Sequence, residues 1–431
     1  MNRRKLIYIA FIFLLPLSAC SSQKLVVEKI DASALGAGKR AIQYDSFWEA
    51  MQNAEFDYLR TNPVDDEHKK FAEGLKLVIA GELSSAEAIF SRLSQSSSDS
   101  LLRKHAQEIL RDLQFFQSKW EELQETASSL DSAEAHNLKL LAAAFGPHER
   151  ESYAFPETPV TLPTKLNLTG NPLIEVDVNG RKKWFWIDTG AKLSAIASDV
   201  ARECGVRAIG DDKGKAQTAT TKEIEFQTAI INELRLGALT IKNHPVLLLN
   251  EEDLRFKFLG LFTFIKIDGV LGWHAIQNMQ LTIDYKNKRT IITKPQKRHT
   301  SNRNLFWLGY PIVRLRSEDG VALNFGFDTG SNRSSISENL LGKIAVGEIK
   351  RTNDKVGGAG GFEKYESHAI RNLRLIVNDY RLHFSKIKTA QRRHTTFIKQ
   401  DGLLGSNVAK NGRVTFDYFN GRFEFELLGR E

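Results

Sequence analysis

Two copies of the triplet Asp-Thr-Gly are the part of this chain with the clearest chemical potential. They occupy residues 188–190 and 328–330, and an apolar run precedes each of them. Two carboxyl groups that hold a water molecule between them supply a proton acceptor and a proton donor for amide hydrolysis. Because like charges at such close range resist ionising together, the pair shares one proton. Asp188 and Asp328 are therefore candidates for hydrolytic chemistry.

The two triplets belong to a duplicated sequence. An Asp-Gly-apolar-apolar-Gly segment follows each triplet, at 268–272 and 401–405, and then a segment that ends in Asp-Tyr, at 281–285 and 414–418. The copies are offset by 140, 133 and 133 residues (328 − 188, 401 − 268 and 414 − 281). They open with Asn-Pro at Asn171 and Tyr-Pro at Tyr310. Because the landmarks keep their order and spacing, we interpret the C-terminal part as two related β units.

These landmarks resemble the aspartic protease clan (pepsin/retropepsin-like), whose signature is Asp-Thr/Ser-Gly after an apolar strand, with a later apolar-apolar-Gly strand. The resemblance covers residues 165–431 and is nearest to a single-chain bacterial retropepsin-like lipoprotein. It implies a mainly-β bilobal aspartic protease fold, with one lobe at residues 165–295 and the other at residues 305–431. It also implies an aspartic endopeptidase without metal or organic cofactor, which cleaves a polypeptide substrate with a water held between Asp188 and Asp328.

The same resemblance assigns supporting roles to the neighbours of the two aspartates. Threonines would cross-bond the loops, glycines would let backbone N–H groups approach the carboxylates, and one serine would offer a hydroxyl to Asp328. These residues are Thr189, Gly190, Thr329, Gly330 and Ser331. Ala191, which holds the place of the serine in the first loop, has no hydroxyl to offer. We therefore predict an electrostatically unequal pair of carboxyl groups.

Members of this clan bind the substrate in a cleft between the two lobes and close it with a β-hairpin flap. Glycine-rich loop tips suit such a flap. A glycine run lies 29 to 33 residues after Asp328 (357 − 328 and 361 − 328). We interpret it as a flap with Gly357, Gly358, Gly360 and Gly361. Residues 215–222 hold the matching place in the first copy and are less glycine-rich, so either a flap or an ordinary surface turn fits them.

The N-terminus has the features of a bacterial secretory signal with a lipidation site. A basic start leads into an apolar stretch, residues 6–17, that is too short for a stable membrane span, and the sequence Leu-Ser-Ala-Cys that ends at Cys20 resembles a lipobox. We predict a signal peptide at residues 1–19, lipidation of Cys20 and a lipidated tether at residues 20–43. Ser21 favours the outer membrane by analogy with enteric-type bacteria. The expected location is thus the periplasmic side of a bacterial membrane; a plain signal peptide or an uncleaved anchor is the alternative.

Residues 44–145 have helical periodicity and are predicted to form an all-α domain. Ser46 and Glu49 fit a capping box. Small residues at Gly74 and Gly81 resemble a tetratricopeptide repeat, in which two antiparallel helices approach closely. A generic helical hairpin domain fits equally well. Binding of a protein partner, spacing from the membrane and covering of the cleft as a pro-segment are all compatible with this region.

Composition excludes several other classes of protein. The chain has 431 residues, of which 42% are hydrophobic and 26% charged, and this argues against a disordered chain or a polytopic membrane protein. Two cysteines cannot build a disulfide scaffold or a multi-cysteine zinc site. The histidines lack the spacing of a helical metal site, and no nucleic-acid partner is indicated. Asp284 and Asp417 recur in both copies, but the asparagine that follows each favours a hairpin turn.

Two competing interpretations remain open. In one, the protein is a non-catalytic lipoprotein binding module with a protease-like fold and a helical partner-binding domain. In the other, it is a zymogen that cuts itself between residues 21 and 165.

Overall fold

The computed structural model describes residues 23–31, 42–128, 133–167, 169–218, 220, 222–258, 262–298, 303–358, 361–390 and 396–429. After a first strand, β1 (Leu25–Lys29), helices fill much of residues 47–145, and strands dominate from residue 152 onward. The predicted class, an N-terminal helical region followed by a mainly-β region, is therefore confirmed.

The helical region consists of helices joined by short loops. They are α1 (Phe47–Gln52), α2 (Tyr58–Thr61), α3 (Asp66–Ala80), α4 (Leu83–Ser96), α5 (Ser100–Phe116), α6 (Trp120–Ser128) and α7 (Ala133–Phe145). Ser46 Oγ accepts the Glu49 N–H at 3.2 Å and so caps α1, as predicted. Among the residues that the structure describes, no helix combines the length and the apolar character needed to cross a bilayer.

Helices α3 and α4 approach closely because Gly74 has no side chain. A Cβ at this position would lie 2.7 Å from the Phe90 ring, far inside van der Waals contact. Gly81 ends α3 with a φ of 78°, a left-handed conformation that glycine adopts readily. The close helix pair that the small residues predict is present, and membership of the tetratricopeptide class stays a prediction.

The mainly-β region contains two units with the same plan. The first unit comprises β2 (Ser152–Ala154), β3 (Val160–Leu166), β4 (Pro172–Val178), β5 (Arg181–Ile187), β6 (Ser194–Ala197), α8 (Ser198–Glu203), β7 (Gly214–Gln217), β8 (Glu223–Leu236), β9 (Leu239–Leu249), β10 (Arg255–Phe258), β11 (Phe262–Lys266), β12 (Gly269–Leu271), α9 (Trp273–Ile276), β13 (Gln280–Asp284) and β14 (Arg289–Thr293). The second unit comprises β15 (Leu305–Trp307), β16 (Pro311–Ser317), β17 (Ala322–Asp328), β18 (Ser335–Ile336), α10 (Glu338–Lys343), β19 (Ile349–Gly358), β20 (Gly361–Val377), β21 (Tyr380–Lys388), β22 (Gly402–Gly405), β23 (Gly412–Asp417) and β24 (Arg422–Leu427).

Each unit threads one strand beside the strand that leads into its Asp-Thr-Gly triplet. In the first unit, β12 runs parallel to β5 and antiparallel to β6; in the second, β22 runs parallel to β17 and antiparallel to β18. The glycine at the end of each threaded segment fits tightly. A Cβ at Gly272 would lie 2.4 Å from the Leu193 carbonyl oxygen, and one at Gly405 would lie 2.5 Å from that of Arg333. The repeated Asp-Gly-apolar-apolar-Gly segments thus support the two triplets.

The two units join through a sheet with two-fold symmetry. Strands β13 and β23 pair antiparallel, with Leu281 opposite Phe416. Thr282 and Thr415 face each other, and their hydroxyl oxygens are 2.8 Å apart. Since these threonines are separated by the same 133 residues (415 − 282) that relate the copies, the symmetry axis of the duplication passes through this pair.

The helical region shares its core with both β units. Phe116, at the end of α5, stacks on Trp307 with ring centroids 4.6 Å apart, and its carbonyl accepts a hydrogen bond from Gln277 of the first unit at 3.1 Å. Trp120 and Phe145 are buried in the same cluster. Each such apolar side chain stabilises the contact by roughly 1.5–3 kcal/mol, so the helical region cannot separate without exposing this core.

The N-terminal segment is not the free tether that the sequence predicts. Strand β1 pairs antiparallel with β21 of the second unit, from Leu25 opposite Phe384 to Lys29 opposite Tyr380. The tether prediction was wrong for these residues because a strand of five residues with one half-buried face offers too short an alternation to recognise.

Candidate active site

The fold brings the two triplets to the junction of the β units. Asp188 directly follows β5, and its N–H donates to the Leu271 carbonyl of β12 at 3.0 Å. Asp328 ends β17 and lies opposite Gly405 of β22. Each aspartate is therefore held by the strand that is threaded beside it, and residues 140 positions apart (328 − 188) enter one site.

The triplet glycines make the approach of the two loops possible. A Cβ at Gly330 would lie 2.6 Å from Asp188 Cγ, and one at Gly190 would lie 2.8 Å from Asp328 Cγ. Each carboxyl group therefore packs against the backbone of the opposite loop. Within its own loop, each glycine N–H donates to the aspartate at 2.8 Å. The carboxyl groups consequently lie side by side, within hydrogen-bonding reach of each other.

Thr189 and Thr329 cross-bond the loops in the way that the resemblance implies. The Thr189 N–H donates to Thr329 Oγ1 at 3.0 Å, and the Thr329 N–H donates to Thr189 Oγ1 at 3.1 Å. The hydroxyls donate in turn to the carbonyls of Phe327, at 2.7 Å, and Ile187, at 2.6 Å. Both threonines are fully buried, where hydrogen bonds are strengthened by the low dielectric constant.

Thr329→Val should destabilise the junction, because it keeps the shape of the side chain and removes its hydrogen bonds. The buried Thr189 N–H and the Ile187 carbonyl would each lose this partner, at a cost of about 1–3 kcal/mol per group. We expect a lower urea midpoint of unfolding. Thr329→Ser, which keeps the hydroxyl, is the matched control and should retain most of the stability. Equal midpoints for the two variants would contradict this role of the hydroxyl.

Burial and mutual repulsion oppose full ionisation of the pair. Burial raises the pKa of Asp188 well above its usual range, and the nearby charge of Asp328 raises it further. Hydrogen bonds from the N–H groups of Gly190 and Ala191 act in the opposite direction. Because the carboxyl groups titrate as a unit, the raised pKa belongs to the pair. The pair therefore keeps one proton to a higher pH than an isolated aspartate does.

Ser331 contacts Asp328 differently from the prediction. Its backbone N–H donates to Asp328 Oδ1 at 3.1 Å, but its hydroxyl donates to the Arg333 carbonyl at 2.9 Å. A hydroxyl has one proton to donate, so it does not donate to Asp328 in this arrangement. In the first loop, the Ala191 N–H donates to the Asp188 backbone carbonyl at 3.3 Å, as the Ser331 N–H does to that of Asp328 at 3.2 Å, and it also lowers the pKa of Asp188. The two loops are therefore more alike in their hydrogen bonding than their sequences predict.

Two residues of the site were not predicted from the sequence, and both lie at the N-terminal start of one copy of the duplication. Asn171 Nδ2 donates to the Thr329 carbonyl at 3.0 Å. The Tyr310 hydroxyl lies 2.8 Å from the position that a Cβ on Gly190 would occupy. Each of the two thus reaches the loop of the other unit. The available signal was their equivalent place in the two copies, directly before a proline.

The predicted flap of the second unit lies in a long β-hairpin. Strands β19 and β20 form a ladder of ten pairs in which Gly357 lies opposite Phe362 and Gly358 opposite Gly361. Gly360 lies outside the described residues. A hairpin is therefore present where the glycine run predicts one, and its action as a flap stays a prediction.

The hairpin of the first unit is shorter, and the helical region holds it. Strands β7 and β8 pair from Gly214 opposite Phe226 to Gln217 opposite Glu223. Asn137 of α7 accepts from the Lys215 N–H at 3.1 Å and donates to the Lys215 carbonyl at 2.8 Å. This strand is therefore bound to a helix through both backbone groups of one residue.

The other recurring aspartates form turns, as the sequence predicts. Asp284 accepts from the N–H and the side chain of Asn287, and Asp417 accepts likewise from Asn420. Burial acts to raise the pKa of Asp284, but hydrogen bonds from Asn287 and Arg289 prevail and lower it. These carboxylates therefore stabilise hairpin turns and are not a second acidic pair.

Two buried histidines belong to the contact between the helical region and the first unit. His244 and His274 both face Glu151, and Ser118 Oγ lies 2.8 Å from His274 Nε2. Burial lowers the pKa of His274. In the described part of the chain, no three His, Cys, Asp or Glu residues are grouped so that they could hold a metal ion.

Part of the chain is similar to known proteins. Residues 174–275, which contain the first triplet and its threaded strand, match the aspartyl protease family model. One similar solved structure is a retropepsin-like aspartic protease from Rickettsia conorii, with 19% identity, coverage of 34% of this chain and 96% of that one, and a TM-score of 0.23. No curated protein matches the chain. The resemblance to aspartic proteases is confirmed by the family model, which covers residues 174–275.

Proposed function

We propose that the protein is an aspartic endopeptidase that hydrolyses peptide bonds in polypeptide substrates. One observation carries the proposal: the carboxyl groups of Asp188 and Asp328 lie within hydrogen-bonding reach at a symmetric junction, in surroundings that favour a shared proton. The match to the aspartyl protease family supports a protease-like protein in coarser terms.

The proposed reaction follows from where the proton lies. A water between the carboxyl groups gives a proton to the ionised carboxylate while its oxygen attacks the peptide carbonyl carbon, and the protonated partner gives its proton to the carbonyl oxygen. The tetrahedral intermediate collapses when the first group protonates the nitrogen, the second takes back the oxygen's proton, and the C–N bond breaks. The pair ends with one proton, as it began, and no covalent enzyme intermediate forms. The starting proton belongs to the pair as a whole, because the two carboxyl groups titrate as a unit.

The substrate would lie extended between the two units and bond through its backbone as an added strand. The long β19–β20 hairpin supports this proposal. Gly357, Gly358 and Gly361 have no side chains that could keep a peptide backbone away from the hairpin. Closure of such a hairpin would exclude bulk water from the carboxyl pair.

We also propose that a lipid on Cys20 anchors the protein on the periplasmic side of the outer membrane. The lipobox-like sequence that ends at Cys20 supports this, and Cys20 itself lies outside the described residues. Mass spectrometry of membrane-extracted protein tests the proposal: the N-terminal peptide of the native chain should begin at Cys20 and carry acyl chains. The Cys20→Ser variant should lack them and leave the membrane fraction.

Cleavage of an unfolded protein by the purified full-length chain tests the proposed enzyme. Reactions between about pH 3 and about pH 8 cover the range in which a carboxyl pair holds one proton. In water enriched with a heavy oxygen isotope, each new carboxyl terminus should gain one heavy atom, because the attacking group is water. If the chain binds unfolded protein but cuts none over this range, the binding-module interpretation replaces the enzyme.

A further inference from the structure

We propose that the lipid anchor holds the Asp328 side of the cleft at the bilayer surface, so that the substrates are polypeptide segments at the membrane. This rests on the proposed protease function and on lipidation of Cys20. The observation that carries it is the position of Gln23, three residues after Cys20 (23 − 20), on the second β unit.

Gln23 is bonded to the segments that support Asp328. Its Oε1 accepts from the Ser334 N–H at 3.2 Å and from Asn407 Nδ2 at 2.9 Å, and its Nε2 donates to the Ser334 carbonyl at 3.2 Å. Ser334 Oγ in turn accepts the Gly405 N–H at 3.1 Å. Gln23 therefore joins the loop that follows Asp328 to the end of the strand threaded beside it.

The residues after Gln23 bind the same unit. The Lys24 carbonyl accepts from both the N–H and the hydroxyl of Ser385, at 3.1 Å and 3.0 Å. Five residue pairs between β1 and β21 follow. The N-terminal segment is consequently an edge strand of the second unit and moves with it.

The chain between Cys20 and Gln23 is too short to separate the cleft from the membrane. Three residues reach at most about 11 Å when fully extended. Acyl chains on Cys20 insert into the hydrocarbon of the bilayer, so Gln23 stays within about that distance of the membrane surface. A free tether over residues 20–43 would have a mean span of roughly 27 Å and would let the cleft turn in any direction.

The outward face of the N-terminal segment is compatible with a membrane surface. Lys24 and Val26 alternate onto one face of the strand and are exposed, Val26 by 50%. A lysine near the bilayer is attracted to anionic headgroups. The valine side chain is apolar and can lie at the boundary between membrane and water.

A cleft held in this position favours substrates that are themselves bound to the membrane. When protease and substrate are bound to the same membrane, their encounter resembles an intramolecular one. The effective concentration of the substrate at the cleft falls steeply when the linker to the anchor is longer than the distance it has to span. Segments close to the bilayer, such as unfolded stretches of lipid-anchored or membrane-inserted proteins, gain this advantage. A freely diffusing peptide does not.

An insertion between Ser22 and Gln23 tests the inference. The lipidated full-length protein is bound to vesicles of phosphatidylethanolamine and phosphatidylglycerol. It receives one fluorogenic peptide in two forms: free, and lipid-linked through a short spacer. The insertion is a Gly/Ser segment of about 24 residues, with a mean span of roughly 27 Å. The matched control carries the same segment between residues 36 and 37, after β1, where it leaves the distance from the anchor to the second unit unchanged.

We expect the native chain and the control to cleave the short-spacer peptide roughly tenfold faster than the insertion variant does. The native chain, the control and the insertion variant should cleave the free peptide at equal rates. Equal rates on the short-spacer peptide would overturn the inference and leave the protease intact. Failure of all three on the free peptide would instead overturn the proposed function.

A second measurement does not depend on activity. A fluorophore attached through Val26→Cys is quenched by a quencher on the lipid headgroups; Cys204 is buried and does not compete for the label. Quenching should be strong in the native chain and the control, and weak in the variant with the insertion before Gln23. Weak quenching in the native chain would overturn the inference.

Discussion

Replacing Asp188 or Asp328 by asparagine should reduce peptide cleavage about a thousandfold or more. An amide cannot accept the proton of the attacking water, and the remaining aspartate loses the partner that shares its proton. Because the carboxyl groups act as a unit, the double variant should be no worse than either single one. Initial rates of the full-length chain on a fluorogenic peptide, measured at several pH values, provide the test.

Relative to the native chain, the Asp188→Asn variant should become more stable as the pH rises. Burial and Asp328 raise the pKa of Asp188 in the folded chain, whereas the unfolded value is about 3.9. The folded native chain therefore holds its proton more tightly, and its stability falls as the pH rises from about 4 towards the raised pKa. The asparagine of the variant does not ionise. The thermal midpoint of the variant should therefore match that of the native chain near about pH 3 and exceed it near about pH 7.

An exposed carboxylate provides the control for both measurements. Asp212 lies at the surface of the first unit, so Asp212→Asn should change neither the cleavage rate nor the pH dependence of the thermal midpoint. A substantial residual rate in either site variant, above about a tenth of the native rate, would exclude the water-activating role, because general acid–base groups contribute about a hundredfold or more.

Lys343→Met should destabilise the second unit by about 3–5 kcal/mol near neutral pH. Lys343 and Asp401 form a buried ion pair, with side chains 4% and 0% exposed and Nζ 2.9 Å from Oδ2. Burial raises the pKa of Asp401, and Lys343 opposes this rise. Without the lysine, an ionised Asp401 would remain buried, with the neutral donors of Asn324 and Asn339 as its hydrogen-bond partners among the described residues.

The pH dependence of this loss has a definite sign. Loss of Lys343 raises the folded pKa of Asp401 further above its unfolded value, so the penalty grows as the pH rises and shrinks when the carboxyl group is protonated. Urea unfolding near about pH 4 should therefore show a smaller difference from the native chain than unfolding near about pH 7. The double variant with Asp401→Asn should recover part of the loss, because no unpaired charge remains.

The first unit offers a matched comparison. Asp268 is the equivalent of Asp401 in the duplication, and its cation, Lys266, lies 3.8 Å away and is 46% exposed. An exposed pair contributes at most about 1 kcal/mol, so Lys266→Met should have a small effect. Equal losses in Lys266→Met and Lys343→Met would show that burial does not set the strength of these pairs.

The site could be predicted from the sequence because its landmarks are local patterns that occur twice in the same order. Each triplet follows an apolar strand and precedes a threaded Asp-Gly-apolar-apolar-Gly segment, and the second copy repeats the order. Two loops with the same local structure can meet on one symmetry axis, which passes through Thr282 and Thr415. The pairing of Asp188 with Asp328 could therefore be predicted without coordinates.

Individual side-chain hydrogen bonds could not be predicted in this way. The Ser331 hydroxyl donates to the Arg333 carbonyl two residues later, and Asn171 donates to the Thr329 carbonyl across the junction. The sequence does not select either acceptor, because a side-chain donor can turn to any acceptor that packing places within reach. The same limit applies to Asn137, which holds the first hairpin from a helix 78 residues earlier (215 − 137).

Three features follow from the amino-acid sequence alone: a duplicated β unit, a pair of aspartates in equivalent loops, and an N-terminal helical region. How these parts are joined became clear only from the folded chain. The helical region packs into the shared core through Phe116 and Trp307. The segment expected to be a tether forms strand β1, and Gln23 is hydrogen-bonded to the loop that follows Asp328. The physical reason is that periodicity reports only which face of an element is apolar. Which surface covers that face depends on the packing of the whole chain.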